Sequence, residues 1–299
     1  MTALKKLDLC VPIMPIPPET TLADLDWNLL WQNARRQKSW SSKGAADWDK
    51  KAVSFATRNV GTSFVSLLLE HLPLGPDRTV LDMGSGPGTL AIPLAEQVRL
   101  VTAVDYSAGM LEVLTRQAQD ENIQNIRTIQ GAWEDDWPQL GIEKHDIAIA
   151  SRSLSVDNLS LALQKLNDHA REYVFIADRI SPTPFDQSAF AAIGREFQSG
   201  PDYIYTVNIL YTMGIHPSID ILKLDRDSVF PNMEEALQAY GWMFKDLSAK
   251  EEDALRCYLE SRIISSMGNQ ITIRREHPPQ WALIWWKKDS PLEQECHKK

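Results

Sequence analysis

The chain has 299 residues, a formal net charge of −9, and 43% hydrophobic against 24% charged residues, proportions ordinary for a globular protein. This acidic balance argues against a protein that holds nucleic acid by bulk charge, because the basic clusters are short, pairs such as Arg35-Arg36, Lys50-Lys51, Arg274-Arg275 and Lys287-Lys288. Cys10, Cys257 and Cys296 have neither disulfide nor zinc spacing, and no run approaches the ~18 apolar residues of a membrane helix. Asp8 and the prolines at 12, 15, 17 and 18 break the N-terminal apolar stretch, so it reads poorly as a signal peptide. The expectation is a cytoplasmic chain with no membrane partner, no nucleic-acid partner and no metal.

In chain order, a Pro-rich start gives way to helical spacing from Leu22 to about Leu72, closed by Pro73, Gly75 and Pro76. Four of the ten tryptophans (Trp27, Trp31, Trp40 and Trp48) lie in the first fifty residues. The period then changes. Thr79–Asp82 reads as a strand, Leu90–Gln97 as a helix, Leu100–Asp105 as a strand, and Ser107–Asp120 as a helix with Ser107 as N-cap. Ile126–Gln130, Asp146–Ser151 and Tyr173–Asp178 are further strands, and a helix spans Leu159–Ala170. Past Asp178 the alternation loosens into a segment rich in Phe and Tyr. Ser218–Leu224 is expected as a strand, Asn232–Phe244 and Ala249–Ser266 as helices, and Gln280–Trp286 as a buried final strand. Strands alternating with helices give an α/β fold around a mostly parallel, Rossmann-like sheet. The expected organisation is one domain: a helical lid over 1–75, a core over 76–180, and a helical insertion with the last strands over 181–299.

The segment Val80-Leu-Asp82-Met-Gly84-Ser85-Gly86-Pro-Gly88-Thr89 places a glycine-rich turn between a strand and a helix, where a ligand approaches backbone amides closely. It is not a dinucleotide fingerprint, since the sixth position from Gly84 is Thr89, and it lacks the Lys-Ser/Thr pair of a phosphate loop. Seventeen residues past Gly88, Asp105 ends the second strand, where a carboxylate can accept both hydroxyls of a ribose.

The pattern Asp82-x-Gly84-x-Gly86-x-Gly88 resembles the first motif of the class I S-adenosylmethionine-dependent methyltransferases. Val104-Asp105-Tyr106-Ser107-Ala-Gly-Met110 resembles their second, and Gly131-Ala132-Trp133-Glu134 stands at the family's adenine-contacting position. The resemblance covers about Thr79 to Asp178 and matches three strand ends in order. It implies the family's seven-stranded sheet and S-adenosylmethionine as methyl donor, with S-adenosylhomocysteine as product. It also implies that Asp82, Gly84, Ser85, Gly86 and Gly88 cradle the methionine part. By the same carry-over Asp105 binds the ribose, Tyr106, Met110, Ala132 and Trp133 border the adenine, and Ser151 adjoins the cofactor.

The acceptor is expected over the carboxyl ends of the fourth and fifth strands, near Ser151-Arg152-Ser153 and Asp178-Arg179. The Asn/Asp-Pro-Pro-aromatic run of base and glutamine methylases is replaced there by Ser151-Arg-Ser-Leu-Ser, and the cysteine of cytosine-carbon methylases is absent. Candidate acceptor contacts are Trp40 and Trp48 in the lid, Arg152, Tyr203 and His216, and no catalytic base is assigned. A small-molecule acceptor is the preferred reading. The alternatives are a non-catalytic cofactor-binding module and a methylase of protein or RNA.

Overall fold

The computed structural model describes residues 21–38, 44–50, 52 and 63–288. Trp40 lies outside them. The continuous apolar runs become strands sandwiched between helices. β1 (Thr79–Met83) is buried along its whole length, with Leu81 and Met83 in the core on one side of the sheet and Val80 in the core on the other. β2 (Leu100–Asp105) and β4 (His145–Ser151) are buried almost as fully, and β5 (Ala170–Arg179) chiefly over residues 174–177. The edge strands β3 (Ile126–Gln130) and β6 (Ser218–Lys223) are mostly accessible.

The seven strands run in the order β3-β2-β1-β4-β5-β10-β6, where β10 is Gln280–Lys287. β1 to β5 pair in parallel, and β10 is antiparallel to both β5 and β6. The chain leaves β1 for β2 and β3, then crosses back to β4 on the other side of β1. That reversal opens a crevice above the carboxyl ends of β1 and β4, where ligands of open α/β sheets bind. Ser107 caps the helix Ala108–Asp120 as the sequence indicates, its Oγ accepting from Met110 N at 3.1 Å. On one face of the sheet the helix Trp27–Gln37 joins Leu159–His169 and Tyr203–Thr212 over Leu163, Ile209 and Trp286.

The insertion differs from the helical expectation. The helix that begins at Ala249 stops at Ser261, and Ile263–Met267 becomes β8 instead of a continued helix. β8 turns through Gly268, at φ +62°, into β9 (Gln270–Arg274), and both join β7 (Asp227–Phe230) as an antiparallel sheet in the order β7-β9-β8. The β-branched Ile263, Ile271 and Ile273 supply its packed face. That sheet, the helices Gln187–Ala192, Met233–Gly241 and Ala249–Ser261, and the side chains Phe190, Tyr240, Phe244 and Leu259 enclose a core distinct from the two flanking the main sheet. Asp186, 5% exposed, accepts there from Tyr258 OH at 3.1 Å and from Ser188 N at 3.1 Å, beside Arg275 at 3.6 Å. No helix among the described residues is long and apolar enough to cross a membrane.

Candidate active site

The turn after β1 is built by hydrogen bonds to the end of β2. Gly84 N and Ser85 N both donate to Val104 O, at 2.7 and 3.0 Å, and Gly86 N donates to Asp105 Oδ2 at 2.8 Å. Asp105 Oδ1 accepts from Ser107 N at 2.9 Å, so one carboxylate ties the glycine turn to the next helix. Gly84 and Gly86 hold φ of +75° and +56°, the left-handed region that glycine adopts without steric penalty. Gly84 has a second requirement. A Cβ placed there would lie 2.3 Å from Ser153 Cβ, because the segment after β4 crosses directly over it. A Cβ at Gly86 would meet nothing within 4 Å, leaving the backbone open to a ligand.

Around this turn several polar atoms are buried without a hydrogen-bond partner among the described residues: Asp82 Oδ2, Ser85 Oγ and Ser151 Oγ. Orphaned buried groups are rare and mark a place where something else supplies the partner. Asp82 is 1% exposed. Burial, then the charge of Asp105, pushes its pKa up to about 7, while Arg152 opposes the shift. Asp105 is also raised, chiefly by burial, with its three backbone N–H donors opposing. A cationic, hydrogen-bonding ligand suits this pair, and the amino group and ribose of S-adenosylmethionine have those properties. The residues fit the group.

The remaining expected residues fall into place unevenly. Ser151 ends β4 beside the turn. Arg152, at φ +57°, lays its guanidinium over the Phe64 ring at 4.4 Å and 5.6 Å from the Trp281 ring, a cation–π contact with an edge-on ring pair whose centroids are 5.7 Å apart. Burial lowers its pKa to about 10. Met110 is buried at the start of the helix after β2, whereas Tyr106 is 37% exposed. Trp133 is buried and donates to Ser153 O at 3.2 Å, packing against Trp137 with ring centroids 5.4 Å apart. Ala132 N is already engaged by Asp135 Oδ2 at 2.8 Å.

Tyr203 opens the helix that starts beside Arg179. His216 must be corrected. That helix descends from the carboxyl end of β5, so the loop after it delivers His216 to the start of β6, at the amino ends of the parallel strands. There it stands against Tyr211 at 5.6 Å, at the end of the sheet away from the crevice. Trp48 is half-buried in a helical stretch over residues 45–50.

Two features escaped sequence reasoning. From the same stretch Asp49 reaches the helix after β2, accepting from Ser107 Oγ at 2.6 Å and from Gly109 N at 3.0 Å. A carboxylate on a helix N-terminus is stabilising, so this contact seats the stretch over residues 45–50 on the helix after β2. The other is Lys38, at the end of the helix Trp27–Gln37, where a lone lysine in the sequence carries no signal. Among the described residues no group of His, Cys, Asp and Glu is arranged to hold a metal ion.

The crevice, its glycine turn and the acids at the ends of β1 and β2 have the form of a nucleoside site in an open α/β sheet, and comparison with known proteins bears on the family. The family model for the methyltransferase domain matches residues 80–173. An uncharacterized protein of Haemophilus influenzae is 32% identical over 272 residues, 90% of this chain and 99% of that one. The probable cobalt-precorrin-6B C(15)-methyltransferase of Methanocaldococcus jannaschii is 34% identical over 73 residues, 24% of this chain and 40% of its own length. Other short matches reach proteins named as ribosomal RNA methyltransferases. Among solved structures, the YcgJ protein of Bacillus subtilis superposes with a TM-score of 0.51 at 16% identity, covering 76% of this chain and 98% of that one, a likeness of fold. Over residues 80–173 the chain carries a methyltransferase domain. It shares nearly its full length with the Haemophilus influenzae protein.

Proposed function

We propose that this methyltransferase acts on a small molecule held over the ends of β4 and β5, with the N-terminal helices as its cover. The observation that carries this reading is the closure of the crevice from two sides. Asp49 seats the lid on Ser107 and Gly109, and the helix Trp27–Gln37 is fixed to the loop after β4 through Trp31 Nε1 to Val156 O at 2.9 Å. A covered crevice suits an acceptor that enters whole, and the net charge of −9 disfavours a polyanion. When bound, S-adenosylmethionine supplies a methyl group already activated on a sulfonium. The chain's residues therefore have mainly to align the acceptor and keep water out. Asp82 and Ser85 would meet the methionine part, with Gly86 leaving room beside them. Asp105 would meet the ribose with the oxygen capacity left by Gly86 and Ser107, and Tyr106, Met110 and Trp133 would border the adenine.

The short matches to ribosomal RNA methyltransferases favour one second reading, an RNA acceptor. Incubation with S-adenosylmethionine labelled in the methyl group, offered either a metabolite extract or total RNA, separates the two. Label is expected in a compound that passes a small-pore filter. Label retained on RNA would establish the second reading. Calorimetry is expected to give one S-adenosylhomocysteine per chain, lost in Asp105→Ala. Undiminished affinity in that variant would remove Asp105 from the site.

A further inference from the structure

The acceptor end of the crevice carries a pair of cations whose placement is unusual. The helix Trp27–Gln37 is bound to the loop after β4 not only by Trp31 but by Arg35, which donates to Ser155 O at 3.1 Å and is ion-paired with Asp157. This seats Lys38 over the loop, its Nζ 3.3 Å from Ser155 Oγ. From the sheet, β5 ends at Arg179, whose Nε donates to Pro201 O at 2.6 Å. The two side chains converge on Gly200. A Cβ there would lie 2.7 Å from Lys38 Cβ and 2.8 Å from Arg179 Nη2, and Gly200 itself has φ +72°. Only glycine both adopts that conformation freely and leaves the two side chains their room.

Bringing two half-buried cations together costs free energy unless an anion lies between them. The nearby acids are largely engaged elsewhere, although Asp202 Oδ1 is buried without a hydrogen-bond partner among the described residues. Asp178 accepts from Thr206 Oγ1 at 2.7 Å and from Arg179 N at 2.8 Å, Asp202 Oδ2 accepts from Ser181 N at 2.7 Å, and Asp157 serves Arg35. Asp178 and Asp202 still favour the charged form of Arg179 from the protein side. Lys38 has no such support. Burial and the charges of Arg35 and Arg179 bring its pKa down to about 8. Among the described residues neither Lys38 nor Arg179 is ion-paired. Lys38 stands over the segment after β4 and Arg179 at the end of β5, the two places that flank the acceptor's expected place.

We infer that Lys38 and Arg179 form an oxyanion-binding subsite, and that the methyl acceptor is an acidic small molecule whose carboxylate or phosphate group lies between them. The inference rests on the small-molecule reading above and sharpens it to a substrate class. A guanidinium and an ammonium together suit either anion, the first through its planar donors and the second as a point charge.

The test uses the full chain saturated with S-adenosylhomocysteine. Lysines labelled by reductive methylation with carbon-13 are followed by NMR against pH, with inorganic phosphate in one arm and malonate in the other. The Lys38 signal, assigned by its loss in Lys38→Met, is expected to titrate at higher pH when the preferred anion is present, and the arm with the larger shift names the group. Lys38→Met is expected to weaken that anion about tenfold, a loss of one charge-assisted contact, with S-adenosylhomocysteine affinity and melting temperature unchanged. Lys38→Arg should retain most of the binding. A Lys38 signal unmoved by either anion overturns the inference, as does undiminished anion binding in Lys38→Met. Methylation of RNA in the labelling assay instead overturns the reading beneath it, whatever the anions do.

Discussion

Replacing Gly84 with alanine is expected to abolish S-adenosylhomocysteine binding and to lower the melting temperature by several degrees. Gly86→Ala should lose most of the binding with the fold nearly intact. The two positions differ in what surrounds them rather than in backbone conformation. Both have positive φ, and alanine in that region loses roughly 1–2 kcal/mol. At Gly84 the new methyl would also lie 2.3 Å from Ser153 Cβ, and Ser153 cannot withdraw cheaply. Its Oγ donates to Met83 O at 2.7 Å and its carbonyl accepts from Trp133 Nε1 at 3.2 Å. Moving it breaks both bonds, and each buried group left unmatched loses about 1–3 kcal/mol. At Gly86 nothing lies within 4 Å, so the added methyl would occupy only the space above the turn. Scanning calorimetry with ligand titration reads both quantities. Equal losses of stability in the two variants would mean that the segment after β4 does not rest on Gly84 as described.

The parts of the site that were legible in the sequence sit at strand ends. There a continuous apolar run stops at an acid or a glycine, and the alternation of elements fixes which end of the sheet is meant. Asp82, the glycine turn, Asp105 and Ser151 all belong to this class. The parts that were not legible depend on contacts between distant segments. Asp49 caps Ser107 from 58 residues away, and nothing local distinguishes it from a solvated acid. Lys38, Arg179 and Gly200 come from three separate segments, joined only after the helix Trp27–Gln37 has packed. His216 lies away from the crevice because a segment rich in Phe and Tyr does not show which way the chain runs across the sheet. In the insertion, Ile263–Met267 is short and mostly exposed, so its residues carry little alternation by which to tell strand from helix.

Asp82 predicts a pH dependence with opposite signs for stability and for binding. Its carboxyl is pushed up to about 7 in the folded chain, first by burial and then by Asp105, against an ordinary value of 3.8. Between those values the folded state keeps a proton that the unfolded state has released. Its contribution to stability is therefore fully present below about 4 and lost as pH rises through about 7. Binding runs the other way, because the cationic amino group of the cofactor selects the ionised carboxylate. Affinity for S-adenosylhomocysteine should rise about tenfold between pH 6 and pH 8, following the ionised fraction of a group with a pKa near 7. Asp105, raised by burial as well, titrates in the same sense, so wild-type profiles combine the two. Asp82→Asn isolates the first, since the amide keeps the shape and cannot ionise. In that variant the affinity should stay low and lose most of its slope, and proton release on binding should fall, as measured by calorimetry in buffers of different ionisation enthalpy. An unchanged slope in Asp82→Asn would assign the dependence to Asp105 and leave the orphaned Asp82 oxygen without a part in holding the cofactor.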